Sequence, residues 1–202
     1  MQNNEVDLRE KESEIIDAAI KRFSHFGISK TSVTEIGNDL GISKQSFSYY
    51  FPDKNSLIHS VVKRILINYT TNLNKVFETP SIAEALSKML ILRRDFMKEY
   101  YLMLVADGRF DFPNFGNDLI KLKKEFDILH QQMLENVINK GIISKQVKHL
   151  DPAKTAKTLL QTFHAFDFCL KEVTPVPETQ DFDDNLKAQQ NALSIFLQGL
   201  NY

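Results

Sequence analysis

A single cysteine, Cys169, stands in the 202 residues, so no disulfide can form within the chain and a reducing compartment is its natural setting. Seven glycines and six prolines leave few points where a helix must break. No stretch approaches the roughly 18 uninterrupted apolar residues of a membrane span. An apolar leader is missing too: Met1 to Glu14 is polar and charged, which argues against a signal peptide. Neither charge is in surplus. The net charge is −1, and within the first sixty residues the acidic side chains slightly outnumber the basic ones. Bulk electrostatics therefore gives no hint of a nucleic-acid partner, although phosphate neutralisation is a local matter. These absences describe a cytoplasmic globular protein with no membrane contact. Its length suffices to bury about 70% of the unfolded chain's surface without crosslinks.

Catalytic signatures are also missing. The chain has no GxSxG, no phosphate-binding glycine loop and no HExxH. The five histidines, His25, His59, His130, His149 and His164, are scattered, and none has a partner at the three- or four-residue spacing of a helical metal pair. An enzyme is not expected, nor a cofactor or a metal site. Cys169 lies in an apolar helical stretch and reads as inert core.

What is present is helical periodicity. Apolar residues recur at three and four rather than two, which predicts an all-α protein. Leu8, Ile15, Ile16, Ala19, Ile20, Phe23 and Phe26 form a stripe, and Gly27 follows as its stop. Ser32 and Glu35 have capping-box spacing at the start of a short helix carrying Val33, Ile36 and Leu40. Gly41 breaks that helix. Ser43 can cap a third, from Lys44 to about Phe51, with Phe47 and Phe51 on one face and Lys44, Gln45, Ser48 and Tyr49 on the other. Two short helices joined by a glycine turn, the second exposing polar groups near its start, is helix-turn-helix geometry.

Further helices are expected at Ser56–Glu78, Ser81–Asp107, Asn117–Lys140, Pro152–Glu172 and Asp183–Leu200. Gly108 to Gly116 reads as a phenylalanine-bearing loop, and Gly141 as a C-terminal stop. Asp151-Pro152 is an N-cap followed by proline at the first helical position.

The segment Ile15 to Val62 resembles the DNA-binding head of the TetR family of transcriptional regulators. The likeness rests on Phe26-Gly27, Thr31-Ser32-Val33, Ile36, Leu40-Gly41-Ile42-Ser43-Lys44 and Tyr50-Phe51-Pro52-Asp53-Lys54. The resemblance implies a three-helix head over residues 1–54 and a helical effector-binding and dimerisation body over 55–202, about nine helices in all. It also implies a repressor released from a palindromic double-stranded DNA operator by a small apolar or aromatic effector. Thr31, Lys44, Tyr49 and Lys54 would anchor the DNA backbone, Gln45, Ser46 and Ser48 would face the groove, and Ser32 would be a further DNA-binding residue. Phosphate contacts set register and base-edge contacts specify sequence. Gln45 alone carries an amide suited to a bidentate pair, with adenine its natural partner. Three positions depart from the family pattern: Gly37 replaces the usual alanine, Gln45 a small residue, and Ser48 the usual phosphate-contacting tyrosine.

In the body, Phe96, Tyr100, Phe126, His130 and Phe163 are expected to line an effector pocket, since aromatic cavities suit flat or apolar ligands. Leu159, Phe166, Leu193 and Phe196, on the last two helices, are the expected homodimer surface. The rival reading is a small-molecule sensor whose head has weak or lost DNA affinity, suggested by Gly37, Ser48 and the acidic balance of the first sixty residues.

Overall fold

The first apolar stripe does form a helix, α1 (Gln2–Phe26), six residues longer at its start than the stripe itself. Ile15, Ala19 and Phe23 are fully buried. Phe26 is not: it is half exposed, with the Arg22 guanidinium 5.8 Å over its ring. Gly27 takes φ +82° and donates its amide to the Phe23 carbonyl, which ends the helix as a left-handed residue past the last turn.

The chain is described here from a computed structural model that covers residues 2–104, 117–148, 150–173 and 176–200. Every regular element among the described residues is an α-helix, and there are eight against the nine or so expected. After α1 come α2 (Val33–Asp39), α3 (Lys44–Tyr50), α4 (Lys54–Val76), α5 (Ile82–Leu104), α6 (Asn117–Ile143), α7 (Pro152–Val173) and α8 (Thr179–Leu200). The expected loop Gly108–Gly116, with Phe110, Phe112 and Phe115, lies outside the described residues, as does His149.

Two compact units emerge, residues 1–66 with 100–122 and residues 67–99 with 123–202, and their limits fall inside α4, α5 and α6. In the first, Ile36, Phe47, Phe51, Leu57, Val61 and Ile65 join the α1 stripe as core. In the second, Leu73, Leu86, Met89, Leu90, Leu134 and Phe163 lead a continuous apolar cluster.

Two expectations in this second unit need correcting. Gly141 does not stop α6 but lies within it, buried. A Cβ there would come within 2.7 Å of Ile82 Cδ1, so the glycine serves the close approach of α5. The stop is Lys145 at φ 58°, whose amide bonds to Ile142 while that of Gln146 bonds to Gly141, the paired pattern of a Schellman ending. Cys169 is exposed rather than core. The α7 stripe runs through Ala156, Leu159, Leu160 and Phe163, and position 169 falls off that face.

Candidate nucleic-acid interface and a polar centre in the second unit

The turn between α2 and α3 is built by main-chain chemistry. Gly41 adopts φ +63°, and the Ile42 amide reaches back 2.9 Å to the Gly37 carbonyl. Gly37 is itself buried, and an added Cβ would stand 3.1 Å from the Ile42 carbonyl oxygen. Its departure from alanine therefore has a steric reason: the second helix closes tightly on the turn. At the start of α2 the capping box is complete, with Glu35 accepting from the Ser32 amide at 2.7 Å and Ser32 Oγ accepting from the Glu35 amide at 3.2 Å. Ser43 Oγ accepts from the Ser46 amide at 3.1 Å and caps α3.

With Phe47 only 2% and Phe51 4% exposed, α3 is pinned by its inner face. Lys44, Gln45, Ser46, Ser48 and Tyr49 are all exposed on the other side, Tyr49 at 71%. No partner among the described residues holds the Gln45 amide. Ser48 turns its hydroxyl onto its own helix, donating to the Lys44 carbonyl at 2.9 Å. Tyr49 stacks edge-on against Tyr50.

Two of the residues named for phosphate are engaged inside the unit. Thr31 is 2% exposed, and its hydroxyl donates to the Gly27 carbonyl at 2.9 Å. That side chain holds the α1–α2 loop and offers no donor to a surface phosphate. Lys54 Nζ donates to the Ile28 carbonyl at 2.6 Å, tying the start of α4 to the same loop. Both carry sequence signals shared with surface anchors, since only the fold reveals which way a side chain turns.

The acids near α3 are likewise committed. Arg22 pairs with Asp39 through Nη2 at 2.8 Å and through Nε, and lies 3.7 Å from Glu35. The hydrogen bond from Arg22 holds the Asp39 carboxyl below the ordinary range, and the Ser32 amide does so for Glu35. Asp53 accepts from the Ser56 amide at 2.7 Å, capping α4. Glu35, Asp39 and Asp53 are thus held in local hydrogen bonds, and the exposed face of α3 carries a lysine and no acid.

In the second unit, three of the five residues expected to line a pocket do converge. The Phe96, Phe126 and His130 rings surround Tyr69 at centroid distances of 4.8, 5.8 and 5.7 Å. Tyr69, which sequence reasoning missed, sits on an unremarkable apolar face of α4. Phe163 is in the core of the same unit, and Tyr100 belongs to the first. Beside the rings runs a buried polar chain. Arg93 on α5 pairs with Asp167 on α7, whose other oxygen accepts from Gln189 at 3.0 Å and Asn185 at 3.4 Å. Burial, reinforced by the Arg93 charge, pushes the His130 imidazole from 6.5 to about 3, and burial pushes the Tyr69 hydroxyl up to about 12.

The four residues expected at a subunit interface divide. Leu159 and Leu193 are 2% and 3% exposed within the chain's own core, where they close the monomer. Phe166 and Phe196 are half buried. The large apolar groups that α7 and α8 leave outside are Phe168 and Ile195. An open groove of about 590 Å³ is lined by Ile82, Ser87, Gln190, Ser194 and Leu197 among others. No described helix is long and apolar enough to cross a membrane, and no cluster of metal-ligating side chains occurs among the described residues.

A family profile described as bacterial regulatory proteins, tetR family, matches residues 15–61, from the second half of α1 to the first part of α4. The HTH-type transcriptional regulator RutR of Escherichia coli K12 is 30% identical over 90 residues, 45% of this chain and 42% of that protein. The match thus spans about two fifths of that relative's length. Likeness in fold extends further. A transcriptional regulator from Cytophaga hutchinsonii ATCC 33406 superposes with a TM-score of 0.83 at 26% identity, over 95% of this chain and 99% of the other. A TetR transcription regulator from Haloarcula marismortui ATCC 43049 does so at 0.76 and 17% identity, over 95% and 98%. The helix-turn-helix segment over residues 15–61 thus matches the tetR family of bacterial regulatory proteins, and the all-helical fold superposes on solved transcriptional regulators, one of them a TetR regulator.

Proposed function

We propose that the protein is a homodimeric, cytoplasmic DNA-binding repressor, released from a palindromic operator by a small effector held in the body. It acts as a regulator and not as an enzyme. The observation that carries the DNA-binding part is α3: two buried phenylalanines fix one face while five polar or aromatic side chains, unopposed by acids, cover the other. A helix so presented matches the major groove in width and chemistry. In this reading Lys44 and Tyr49 take phosphates, Gln45 reads a base edge, and Ser46 and Ser48 lie in the groove. Ser32, Thr31 and Lys54 shape the loops on either side. The head comprises residues 1–54 and the body 55–202.

Two subunits would present two recognition helices about one DNA turn apart, roughly 34 Å. Phe168 and Ile195, exposed on α7 and α8, favour those helices as the subunit contact. An effector changes DNA affinity only if it binds the two conformations of the dimer unequally.

Selection from random double-stranded DNA, followed by titration of the enriched sequence at rising salt, tests this. The expected result is a two-fold symmetric site whose affinity falls steeply between 50 and 200 mM salt, by about 10³ or more for six phosphate contacts. No enrichment, or binding indifferent to salt, would overturn the repressor in favour of a sensor without DNA affinity. A stable monomer in sedimentation at micromolar concentration would overturn the dimer.

A further inference from the structure

The polar centre of the second unit has an unequal hydrogen-bond inventory. Both carboxylate oxygens of Asp167 are taken, one by Arg93 and the other by Gln189 and Asn185. The unfilled capacity lies elsewhere. Among the described residues the Tyr69 hydroxyl, Arg93 Nε and His130 Nε2 are buried without a well-formed hydrogen bond, and Arg93 stands close enough to act as a donor toward the Tyr69 oxygen, which leaves the phenolic proton unplaced. Their residues are 4%, 9% and 2% exposed. Buried polar groups in folded proteins nearly always find partners, in protein, water or ligand. Two of these three are donors, a phenolic O–H and a guanidinium N–H, and a neutral imidazole nitrogen can serve in either role. The centre thus holds a phenolic O–H and a guanidinium N–H for which no oxygen of Asp167 is left to accept.

Its walls are aromatic. Phe96 and Phe126 pack on Tyr69 in edge-to-face geometry, and Phe126 tilts against His130 at 5.6 Å. Such rings alone would suit either a flat uncharged body or a quaternary cation. Arg93 separates the two. A second cation would meet its guanidinium while finding no free carboxylate oxygen. An acceptor would meet two donors.

We propose that this centre is the effector subsite and that it takes a small planar ligand whose polar end is a hydrogen-bond acceptor, a carboxylate or carbonyl, and excludes cations. The acceptor lies against Tyr69 Oη and Arg93 Nε, and the flat body parts the Phe96 and Phe126 rings. This rests on the effector reading given above and narrows it from any apolar or aromatic molecule to one chemical class.

Three probes of equal ring size test it on the full-length wild-type protein: benzoate, benzamide and benzyltrimethylammonium, each titrated by calorimetry and by the ring resonances of His130. Benzoate and benzamide should bind and shift those resonances, and benzyltrimethylammonium should bind at least tenfold more weakly. Tyr69→Phe keeps the ring and removes one donor, and should weaken both acceptors about tenfold, the equivalent of about 1.4 kcal/mol. If the cation binds as well as benzoate, the ligand class is overturned and the effector reading stands. If the acceptors bind but Tyr69→Phe changes nothing, the site is overturned. If no probe binds, the three atoms serve buried water alone and the proposal fails. The effector reading itself fails only if no compound of a broad metabolite set releases wild-type protein from its selected DNA.

Discussion

Gln45 and Thr31 sit fourteen positions apart and behave oppositely once the chain folds. Gln45 is exposed with an unengaged amide, so its chemistry is available to a partner. Gln45→Ala should relax base preference at one position of each half-site, with a loss of discrimination of about 1–3 kcal/mol. A repeat of the DNA selection with the variant reads this directly, and an unchanged preference would remove Gln45 as the base reader. Thr31 is buried with its hydroxyl bonded to the Gly27 carbonyl. Thr31→Val should therefore lower thermal stability of the head and leave the salt dependence of DNA binding unchanged. The difference between these residues was invisible in the sequence, where both are polar groups beside a recognition helix. Side-chain direction depends on backbone geometry that no local spacing encodes, and the same holds for Lys54 and its bond to Ile28.

Among the elements, boundaries written in side-chain chemistry were legible. Ser32 with Glu35, Ser43, Gly27, Gly41 and Asp151 each mark a helix end, because a cap needs a short acceptor or a positive φ at one defined position. Gly41→Ala should cost about 1 kcal/mol or more, since φ +63° is strained for any residue with a Cβ. Ser43→Ala should cost about 1 kcal/mol through the lost bond to the Ser46 amide. Urea denaturation measures both, and equal stability to wild type would show that the α2–α3 turn is held by packing alone. Where a boundary depends on what lies across from it, the sequence was silent. Gly141 looks like a stop, but Ile82 of another helix decides its role, and Lys145, the residue in left-handed conformation, has no composition that announces it. Gly141→Ala should destabilise by forcing the α5 side chain to move, in contrast to the gain expected from alanine at an open helical site.

For the whole molecule, the fold class was plain in the three-and-four periodicity, while the polar centre was only half visible. Phe96, Phe126 and His130 were found as aromatic surplus. Tyr69, Arg93 and Asp167 were not, because they come from three separate helices and none stands out on its own. Their coupling has measurable consequences. Arg93 and Asp167 form a buried pair, so Asp167→Ala leaves an uncompensated buried cation and should cost about 3–5 kcal/mol. His130 gives a pH dependence of known sign. Folding holds its imidazole neutral by lowering the pKa from 6.5 to about 3, whereas the unfolded chain takes up a proton near 6.5. The stability it contributes is therefore complete above pH 6.5 and is lost as pH falls toward 3. His130→Phe should flatten that part of the stability profile, as read by denaturation midpoints at pH 7 and pH 5. An unchanged slope would assign acid sensitivity to other groups.

The unfilled donors at Tyr69 and Arg93 also bear on selection. A chain shaped for stability alone would replace such groups, because buried polarity without partners costs free energy that an apolar residue of equal size does not. Tyr69→Phe should accordingly leave the ligand-free protein as stable as wild type or more so, with the higher melting temperature in calorimetry, even as it loses the acceptor. Under the proposed effector reading, Tyr69 weakens the resting protein and strengthens only the occupied one, so that position 69 exchanges robustness for responsiveness.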